Sequence, residues 1–453
     1  VLVSLIKKMY DIGIFWQLLW QYFSNFIKTE KLSMDDDKDK FITEKIIKKD
    51  KSKYISLLKL LLSAVVFGVV AMATALFAKP GLEKFIVKST TEKETISIEK
   101  DATVLQSSSE VIETEDTEAF KNIAESIIDE HSYDEEDVKA MYKAMANLAN
   151  NLDSCVTSIH SIKNEKDWFD NLIESGHYYS GLVIAKTENE VLVLCPVQAI
   201  DAADTINVSF KNNYSKQATV KSADGHIGIA ILSVDTSDAE SGIKEGIEVI
   251  ALGNSYLVSR GDIALAIGSP TGFNYSTGYG WVSYISKDVS IVDSTAMFMY
   301  TSLALDNTRG SFLVNTSGEL IGIASASYPS ETGASVAIGI SDLKARLEYM
   351  INAMPAAYIG IKPIDINAKV KESGVPEGIY VTEVVADSPS YISGIQVGDI
   401  ISEIDGVKVS STAAYKEVID KLTVGKEINI KLYRDNGKNE YSQLDINLTV
   451  ASR

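Results

Sequence analysis

Short β-type runs, each closed by turn residues, fill the chain from Val156 to about residue 340. They read SGLVIAKT, EVLVLCPV, TINVSF, QATVKSA, GIAILSV and IALAIGS, and Gly, Asn, Asp and Ser separate them. Runs of about 5 to 8 residues between such turns are typical of strands, whereas helices show a longer apolar period. A clear helical pattern appears only at the end of this region, in SDLKARLEYMINAM. The region is therefore predicted to be an all-β barrel or sandwich.

A different pattern begins after Met354-Pro355 and continues to Arg453. Strand-type and helix-type segments are mixed here, which indicates a separate α+β module. Two folded units plus additional segments fit a chain of 453 residues, because a typical domain has roughly 100 to 200 residues.

The composition excludes several classes of partner and site. A net charge of −19 argues against general affinity for nucleic acid or anionic lipid. No spacing typical of metal ligands occurs, and we expect neither a metal nor another cofactor. Cys155 and Cys195 could form a disulfide or remain two partly buried thiols. The histidines lie far apart in the sequence, at His131, His160, His177 and His226.

An uncharged apolar segment lies near the N-terminus of the sequence. Leu60 to Ala78 reads LLLSAVVFGVVAMATALFA, and lysines cluster just before it. This length and charge asymmetry predict a transmembrane helix over residues 54–78, with residues 1–53 in the cytoplasm and the remainder outside the cell membrane. A cleavable signal peptide is the alternative, because Ala73-Thr74-Ala75 has small residues in an A-x-A pattern. We assign no function to residues 1–33.

Residues 79–155 are predicted to form an acidic stalk or linker that is partly helical. The stretch from Thr117 to Leu152 has few turn signals and carries apolar residues at helical spacing. A solvated stalk is favoured over a self-associating coiled coil, because the sequence lacks sustained heptads. The apolar positions in its second half are Val138, Met141, Met145 and Leu148.

Several stretches resemble, in order and spacing, the chymotrypsin-fold domain of HtrA (Deg-type) serine proteases. They are SGLVIAKTENEVLVLCPVQAIDAADTINVSF, ADGHIGIAILSVD, IALAIGSPTGFNYSTGYGWVS and DNTRGSFLVN. The tail, with YIGI and EGIYVTEVVADSPSYISGIQVGDIISEIDGVKV, resembles the PDZ domain of the same family. The resemblance implies a trypsin-like double β-barrel over residues 156–350 and an α+β PDZ domain over residues 356–450. The transmembrane helix and the stalk would precede both.

The resemblance also locates the three positions of a Ser-His-Asp triad. The family's histidine falls on Gln198 in LCPVQAI, its aspartate on Gly228 in GIAILSV, and its serine on Arg309 in DNTRGSFLVN. Acyl transfer needs a hydroxyl activated by an imidazole that a carboxylate orients. Gln cannot act as a base, Gly has no side chain, and a guanidinium is not a nucleophile. No catalytic residue is therefore expected at these positions.

Four polar side chains lie close enough in sequence to the triad positions to be alternative catalytic groups. Asp224 and His226 lie close to Gly228 but are offset from it, and we interpret both as turn residues. Thr308 and Ser311 supply hydroxyls within two residues of Arg309, and hydrogen bonding within the turn is their expected role. Without a base nearby, a hydroxyl has negligible alkoxide character.

The resemblance leads to a functional prediction in which the PDZ domain binds peptides. A PDZ domain adds an extended peptide to a sheet edge and holds its C-terminal carboxylate with backbone N–H groups. By resemblance, that loop and strand are Tyr358, Ile359, Gly360 and Ile361, and Gly360 would allow close approach of a ligand backbone.

We predict a membrane-anchored, extracytoplasmic pseudoprotease that binds polypeptide C-termini or unfolded proteins and acts in envelope quality control. Family resemblance suggests a homo-oligomer, such as a trimer. The alternative is an active HtrA-like endopeptidase with rearranged catalytic residues that degrades misfolded envelope proteins.

Overall fold

A computed structural model describes residues 95–101, 134–166, 172–201, 203–330, 333–437 and 440–453. These residues all belong to one compact unit, Lys93–Arg453. The predicted cytoplasmic segment 1–53, the transmembrane segment 54–78 and most of the predicted stalk lie outside the described residues. Within the described ranges, no helix combines the length and the apolar character that crossing a bilayer requires.

The first β-domain is a seven-stranded antiparallel sheet with the order β5-β4-β1-β2-β3-β7-β6. Its edge strands, β5 and β6, are separated in the sequence only by Ala218, so the two edges of the sheet meet at this residue and the sheet curls into a barrel. The strands are β1 (Val156–Lys166), β2 (Leu172–Lys186), β3 (Glu190–Pro196), β4 (Thr205–Phe210), β5 (Ser215–Gln217), β6 (Thr219–Asp224) and β7 (Ile229–Asp235).

The second β-domain is a closed six-stranded barrel with the order β10-β13-β12-β11-β8-β9. A trypsin-like double-barrel arrangement is thus confirmed for the region predicted to be all-β. The strands are β8 (Ile263–Gly268), β9 (Gly278–Ile291), β10 (Ser294–Thr301), β11 (Ser311–Val314), β12 (Leu320–Ile323) and β13 (Ser335–Gly339).

Apolar side chains fill each barrel and the space between them. Ile159, Val193 and Leu232 belong to the core of the first barrel, and Ala266 and Leu313 to that of the second. A third, larger cluster is shared by both barrels and by a helix that follows β13. Strands β3 and β11 are buried on both faces, which explains their continuous apolar sequences.

Two longer helices pack against the barrels. They are α1 (Glu135–Leu152) and α3 (Ile340–Ile351), and a short α2 (Ser241–Glu245) lies between them in sequence. Helix α1 falls within the predicted helical stretch, and Val138 and Met141 in its first half are exposed. Its second half differs from a solvated stalk, because Met145 and Leu148 pack on the core shared by the barrels.

The C-terminal module is a sheet with the order β15-β16-β17-β19-β20, with β18 paired to β17. The small strands β14 (Ala357–Tyr358) and β21 (Ala451–Ser452) pair with each other. The other elements are β15 (Ile361–Asp365), α4 (Ala368–Glu372), β16 (Ile379–Val384), α5 (Pro389–Ser393), β17 (Ile400–Ile404), β18 (Val407–Lys408), α6 (Thr412–Ile419), β19 (Glu427–Asp435) and β20 (Tyr441–Thr449).

Candidate functional site

The three positions that resemble a catalytic triad meet at one place between the barrels. The N–H of Val197, which precedes Gln198, donates to the carbonyl of Gly228 over 3.0 Å. Gly310, which follows Arg309, lies so close to the end of β3 that a Cβ there would be 3.3 Å from Cδ of Pro196. The fold therefore keeps the frame in which a triad would sit.

Gln198 lies on a short 3-10 helix, Val197–Ala199, directly after β3. Its Oε1 is buried and accepts no hydrogen bond from any described residue. An amide oxygen can accept a hydrogen bond but cannot take up a proton near neutral pH. The side chain at this position can therefore position a polar group but cannot act as a general base.

Gly228 stands in a backbone conformation that disfavours other residues, with φ of +81°. A Cβ built at this position would lie 2.6 Å from Oγ of Ser325 and 2.7 Å from Oγ of Ser327. Any side chain here would meet both steric clash and backbone strain. In this structure the position has no room for the carboxylate that a triad requires.

The turn before β11 is organised by the Asp306 carboxylate. Its Oδ1 accepts from the backbone N–H groups of Thr308 at 2.9 Å and Arg309 at 3.1 Å, and from the Thr308 hydroxyl at 2.7 Å. The Ser311 hydroxyl donates to the Asp306 carbonyl at 2.7 Å. Both hydroxyls near Arg309 thus serve the turn, and the Arg309 N–H points at a carboxylate of this chain.

Arg309 itself is partly exposed. Its Nε lies 3.9 Å from Oδ2 of Asp306, which makes a long ion pair. Burial raises the pKa of nearby Tyr179, and the positive charge of Arg309 offsets part of that rise. The guanidinium therefore acts on the site as a fixed positive charge.

The imidazoles of His160 and His226 stack on aromatic rings rather than contacting Ser or Thr hydroxyls. His160 stacks on Tyr178 with 4.4 Å between ring centroids, and His226 stacks on Tyr358 with 5.1 Å. The turn role expected for Asp224 is found, because its Oδ1 accepts from the His226 N–H at 3.0 Å.

Asp224 also has a role that the turn interpretation missed. Its Oδ2 lies 3.4 Å from a guanidinium nitrogen of Arg346 and 3.5 Å from one of Arg453. Asp224 and His226 thus both lie where the first barrel meets the C-terminal module.

The two cysteines are free thiols in separate apolar clusters. Burial raises the pKa of Cys155 to about 11, and burial raises that of Cys195 as well. Of the two possibilities that the sequence left open, the structure contains the unpaired thiols. In the described part of the chain, no group of three or more His, Cys, Asp or Glu side chains is placed to hold a metal ion.

The second candidate site is the loop Tyr358–Ile361 of the C-terminal module. Gly360 has φ of +87°, and a Cβ there would lie 2.2 Å from Cβ of Ser388. Glycine is thus required by the backbone and by a neighbouring side chain, rather than only by the approach of a ligand. The N–H groups of residues 359, 360 and 361 all donate to the carboxylate of Asp293.

Comparisons with known proteins agree with this architecture. Residues 179–323 match the family described as a trypsin-like peptidase domain, and residues 357–448 match the PDZ domain family. Periplasmic serine endoprotease DegP of Salmonella typhimurium is 26% identical over 266 residues, which cover 56% of this chain and 54% of that protein. The chain thus combines a trypsin-like peptidase domain with a PDZ domain, and it is similar to proteases of the HtrA type.

Another relative and a solved structure are also similar to more than half of this chain. A "Probable periplasmic serine endoprotease DegP-like" of Marinomonas sp. is 27% identical over 288 residues, covering 60% of this chain and 57% of that protein. The chain spans a little over half the length of these two relatives. A solved structure, HtrA-type protease AlgW with decapeptide, is 22% identical, covers 68% of this chain and 98% of that chain, and has a TM-score of 0.49.

Two carboxylates that organise these sites, Asp306 and Asp293, were not identified from the sequence. Asp306 could have been found, because an Asp followed by Asn-Thr favours a turn in which the carboxylate accepts backbone N–H groups two residues on. Asp293 lies in an ordinary turn between two strands, and no local signal indicates that its partners are residues 359–361.

Proposed function

We propose that this chain is an HtrA-type pseudoprotease anchored in the cell membrane by residues 54–78. Its trypsin-like domain holds polypeptide without cleaving it, and its PDZ domain binds exposed polypeptide C-termini outside the cytoplasm, in envelope quality control. The matches to two domain families support the presence of both domains. The residues at positions 198, 228 and 309, which cannot act as base, acid or nucleophile, support the loss of proteolysis.

One observation carries this proposal. At the position of the nucleophile stands Arg309, and its backbone N–H donates to Asp306 Oδ1 over 3.1 Å. In trypsin-like catalysis the N–H of the nucleophilic residue helps to bind the developing oxyanion. Here both requirements fail together, because the hydroxyl is replaced and the N–H already has a carboxylate as its acceptor.

The alternative, an active endopeptidase with rearranged residues, is favoured by the relatives, which are named as serine endoproteases. It would require the hydroxyl of Thr308 or Ser311 as nucleophile. Each of these hydroxyls donates to Asp306 at 2.7 Å, and neither donates to an imidazole. The alternative thus needs the turn to rearrange and a base to approach.

Proteolysis is tested with the purified full-length chain in detergent. We expect no cleavage of unfolded casein and no labelling by a fluorophosphonate probe, with Salmonella typhimurium DegP as the positive control. Labelling that disappears in the Ser311→Ala or Thr308→Ala variant would establish the active alternative instead. Membrane anchoring is tested in membranes from cells that express the chain, before detergent is added. An anchored chain stays with these membranes in carbonate, and one lacking residues 1–78 does not.

Two further variants separate a missing nucleophile from a missing site. Arg309→Ser should stay inactive, because position 198 still carries Gln and position 228 still carries Gly. The triple variant Gln198→His, Gly228→Asp, Arg309→Ser should also stay inactive and be less stable, since a side chain at 228 collides with Ser325 and Ser327. Hydrolysis by Arg309→Ser alone would show that positions 198 and 228 are wrongly assigned. Hydrolysis by the triple variant would show that position 228 can accommodate a carboxylate after all.

A further inference from the structure

The turn between β9 and β10 inserts a carboxylate into the PDZ domain. Asp293 directly precedes β10, has φ of +57° and is almost fully buried. Its Oδ2 accepts from the Ile359 N–H at 3.0 Å and its Oδ1 from the Ile361 N–H at 3.1 Å. The Gly360 N–H lies between the two oxygens, at 2.9 and 3.1 Å.

Two side chains complete the shell around this carboxylate. The Tyr415 hydroxyl on α6 donates to Oδ1 at 3.1 Å, and a guanidinium nitrogen of Arg453 lies 3.2 Å from Oδ2. Three convergent backbone N–H groups and a cation form the kind of site that captures the terminal carboxylate of a peptide. The aspartate side chain thus has the chemistry of a polypeptide C-terminus.

The backbone of the turn also occupies the strand edge that a peptide would use. Strand β15 is an edge strand of the PDZ sheet, with β16 on its other side. The Asp293 N–H donates to the Ile361 carbonyl at 2.8 Å, as the first residue of an added strand would do. Val292, beside it, is buried as well. Asp293 and a peptide C-terminus therefore require the same atoms.

Two ion pairs connect this contact to the first barrel. Arg453, which contacts Asp293, also lies 3.5 Å from Asp224, and Arg346 lies 3.4 Å from the same carboxylate. Removal of the Asp293 carboxylate would leave Arg453, Tyr415 and three N–H groups without this acceptor, and unpaired buried donors are costly. The contact consequently holds the PDZ domain against the barrels.

We infer that Asp293 is an internal ligand of the PDZ carboxylate-binding loop, and that a polypeptide with a free C-terminal carboxylate binds only by displacing it. This inference rests on the proposed peptide-binding function. Binding of such a peptide would release the PDZ domain from the β9–β10 turn. The apparent affinity of the peptide is then its intrinsic affinity multiplied by the fraction of molecules in which Asp293 has left the loop Tyr358–Ile361.

The test measures binding of a fluorescein-labelled decapeptide that ends in valine with a free carboxylate, by anisotropy, to the full-length chain. We expect Asp293→Ala to bind about 10- to 100-fold more tightly than the wild type, because a minor open state is commonly populated at about 1–10%. The matched control is Asp288→Ala, in the same hairpin and also at positive φ, but exposed. It should bind like the wild type.

Hydrogen exchange supplies a second readout that does not need the peptide. The amides of residues 359–361 should exchange faster in Asp293→Ala than in the wild type or in Asp288→Ala. If Asp293→Ala does not fold, the isosteric Asp293→Asn keeps the shape of the side chain but removes its negative charge, and it should raise peptide affinity by a smaller factor. A peptide with an amidated C-terminus should bind neither variant more tightly than it binds the wild type.

The outcomes separate this inference from the proposed function. Equal peptide affinity in the wild type, Asp293→Ala and Asp293→Asn would show that Asp293 is not a competitor, while peptide binding itself would stand. Absence of binding to all three would overturn the peptide-binding function, and the inference with it.

Discussion

At the scale of single residues, glycines and aspartates decide whether the turns near the candidate site can form. Asp306 holds the turn that ends in Arg309, and Gly310 lets that turn pass beside Ser180. Gly310 has φ of +90°, and a Cβ there would lie 2.1 Å from the Ser180 carbonyl oxygen. The Ser180 N–H in turn donates to the Arg309 carbonyl at 2.8 Å. A substitution at position 310 therefore disturbs the packing of both barrels.

Gly310→Ala should lower the free energy of unfolding by roughly 2–5 kcal/mol, because backbone strain and steric overlap add. The control is Gly261→Ala, since Gly261 also has a positive φ, +99°, but open space around it. This control should lose about 1–2 kcal/mol from backbone strain alone. Urea denaturation compares the two, and equal losses would mean that the close approach to Ser180 is not present in solution.

At the scale of secondary structure, the two ends of α1 are stabilised in different ways, one by a local capping residue and the other by tertiary contacts. Its start is defined by Asp134, whose side chain accepts from the N–H groups of Glu136 at 2.8 Å and Asp137 at 3.1 Å. Its end is held by packing, because Leu148 and Leu152 lie against Gly318 in the second barrel. The start is therefore sensitive to capping, while the end is sensitive to the apolar contact.

Asp134→Ala should weaken the first turns of α1 by about 0.5–2 kcal/mol, the usual cost of losing an N-cap. Asp134→Ser is the control, because serine caps about as well as aspartate. Hydrogen exchange of the amides from Val138 to Met141 is the measurement. Unchanged exchange in the alanine variant would show that capping does not limit the start of this helix.

At the scale of the whole molecule, charged groups join the first barrel to the PDZ domain. Burial opposes ionisation of Asp224, but the charges of Arg346 and Arg453 outweigh it and lower the pKa of this carboxyl below 3.8. Burial also lowers the pKa of His226 below 6.5, and Arg453 adds to this effect while Asp224 opposes it. Tyr358 of the PDZ domain covers the His226 ring.

Both groups bind a proton less readily in the folded chain than in the unfolded chain. Their contribution to stability is therefore complete above the unfolded pKa values and is lost as the pH falls. Unfolding temperature, measured by calorimetry, should begin to fall near pH 6.5, where His226 would have to gain a proton, and fall again below about pH 4, where Asp224 would.

His226→Phe is the control for the first of these steps, because it keeps a ring against Tyr358 but cannot titrate. The variant should be insensitive to pH between about 7 and 5, where the wild type begins to lose stability. An identical pH profile for both proteins would assign the loss to other groups.

Much of the fold was accessible from the sequence, since it is encoded by local patterns. Alternation of apolar runs with turn residues defines strands such as β3 and β7, and the motifs around Gln198, Gly228 and Arg309 occur in the order that the family uses. The chemical character of these three side chains follows from their identity alone. The bend at Ala218 that joins β5 to β6, and the docking of α1, depend on contacts that no local pattern encodes.

The sequence by itself determined the two modules, whereas the triad positions and the peptide-binding role of the loop Tyr358–Ile361 are predictions that rest on resemblance. Only the tertiary structure decided what these residues touch. Asp293 and Gly360 are separated by 67 positions, and Asp224 and Arg453 by far more. Their contact depends on how one domain is placed on another, and a side chain's sequence neighbours carry no information about that. The carboxylate that the PDZ loop holds was therefore visible only in the folded chain.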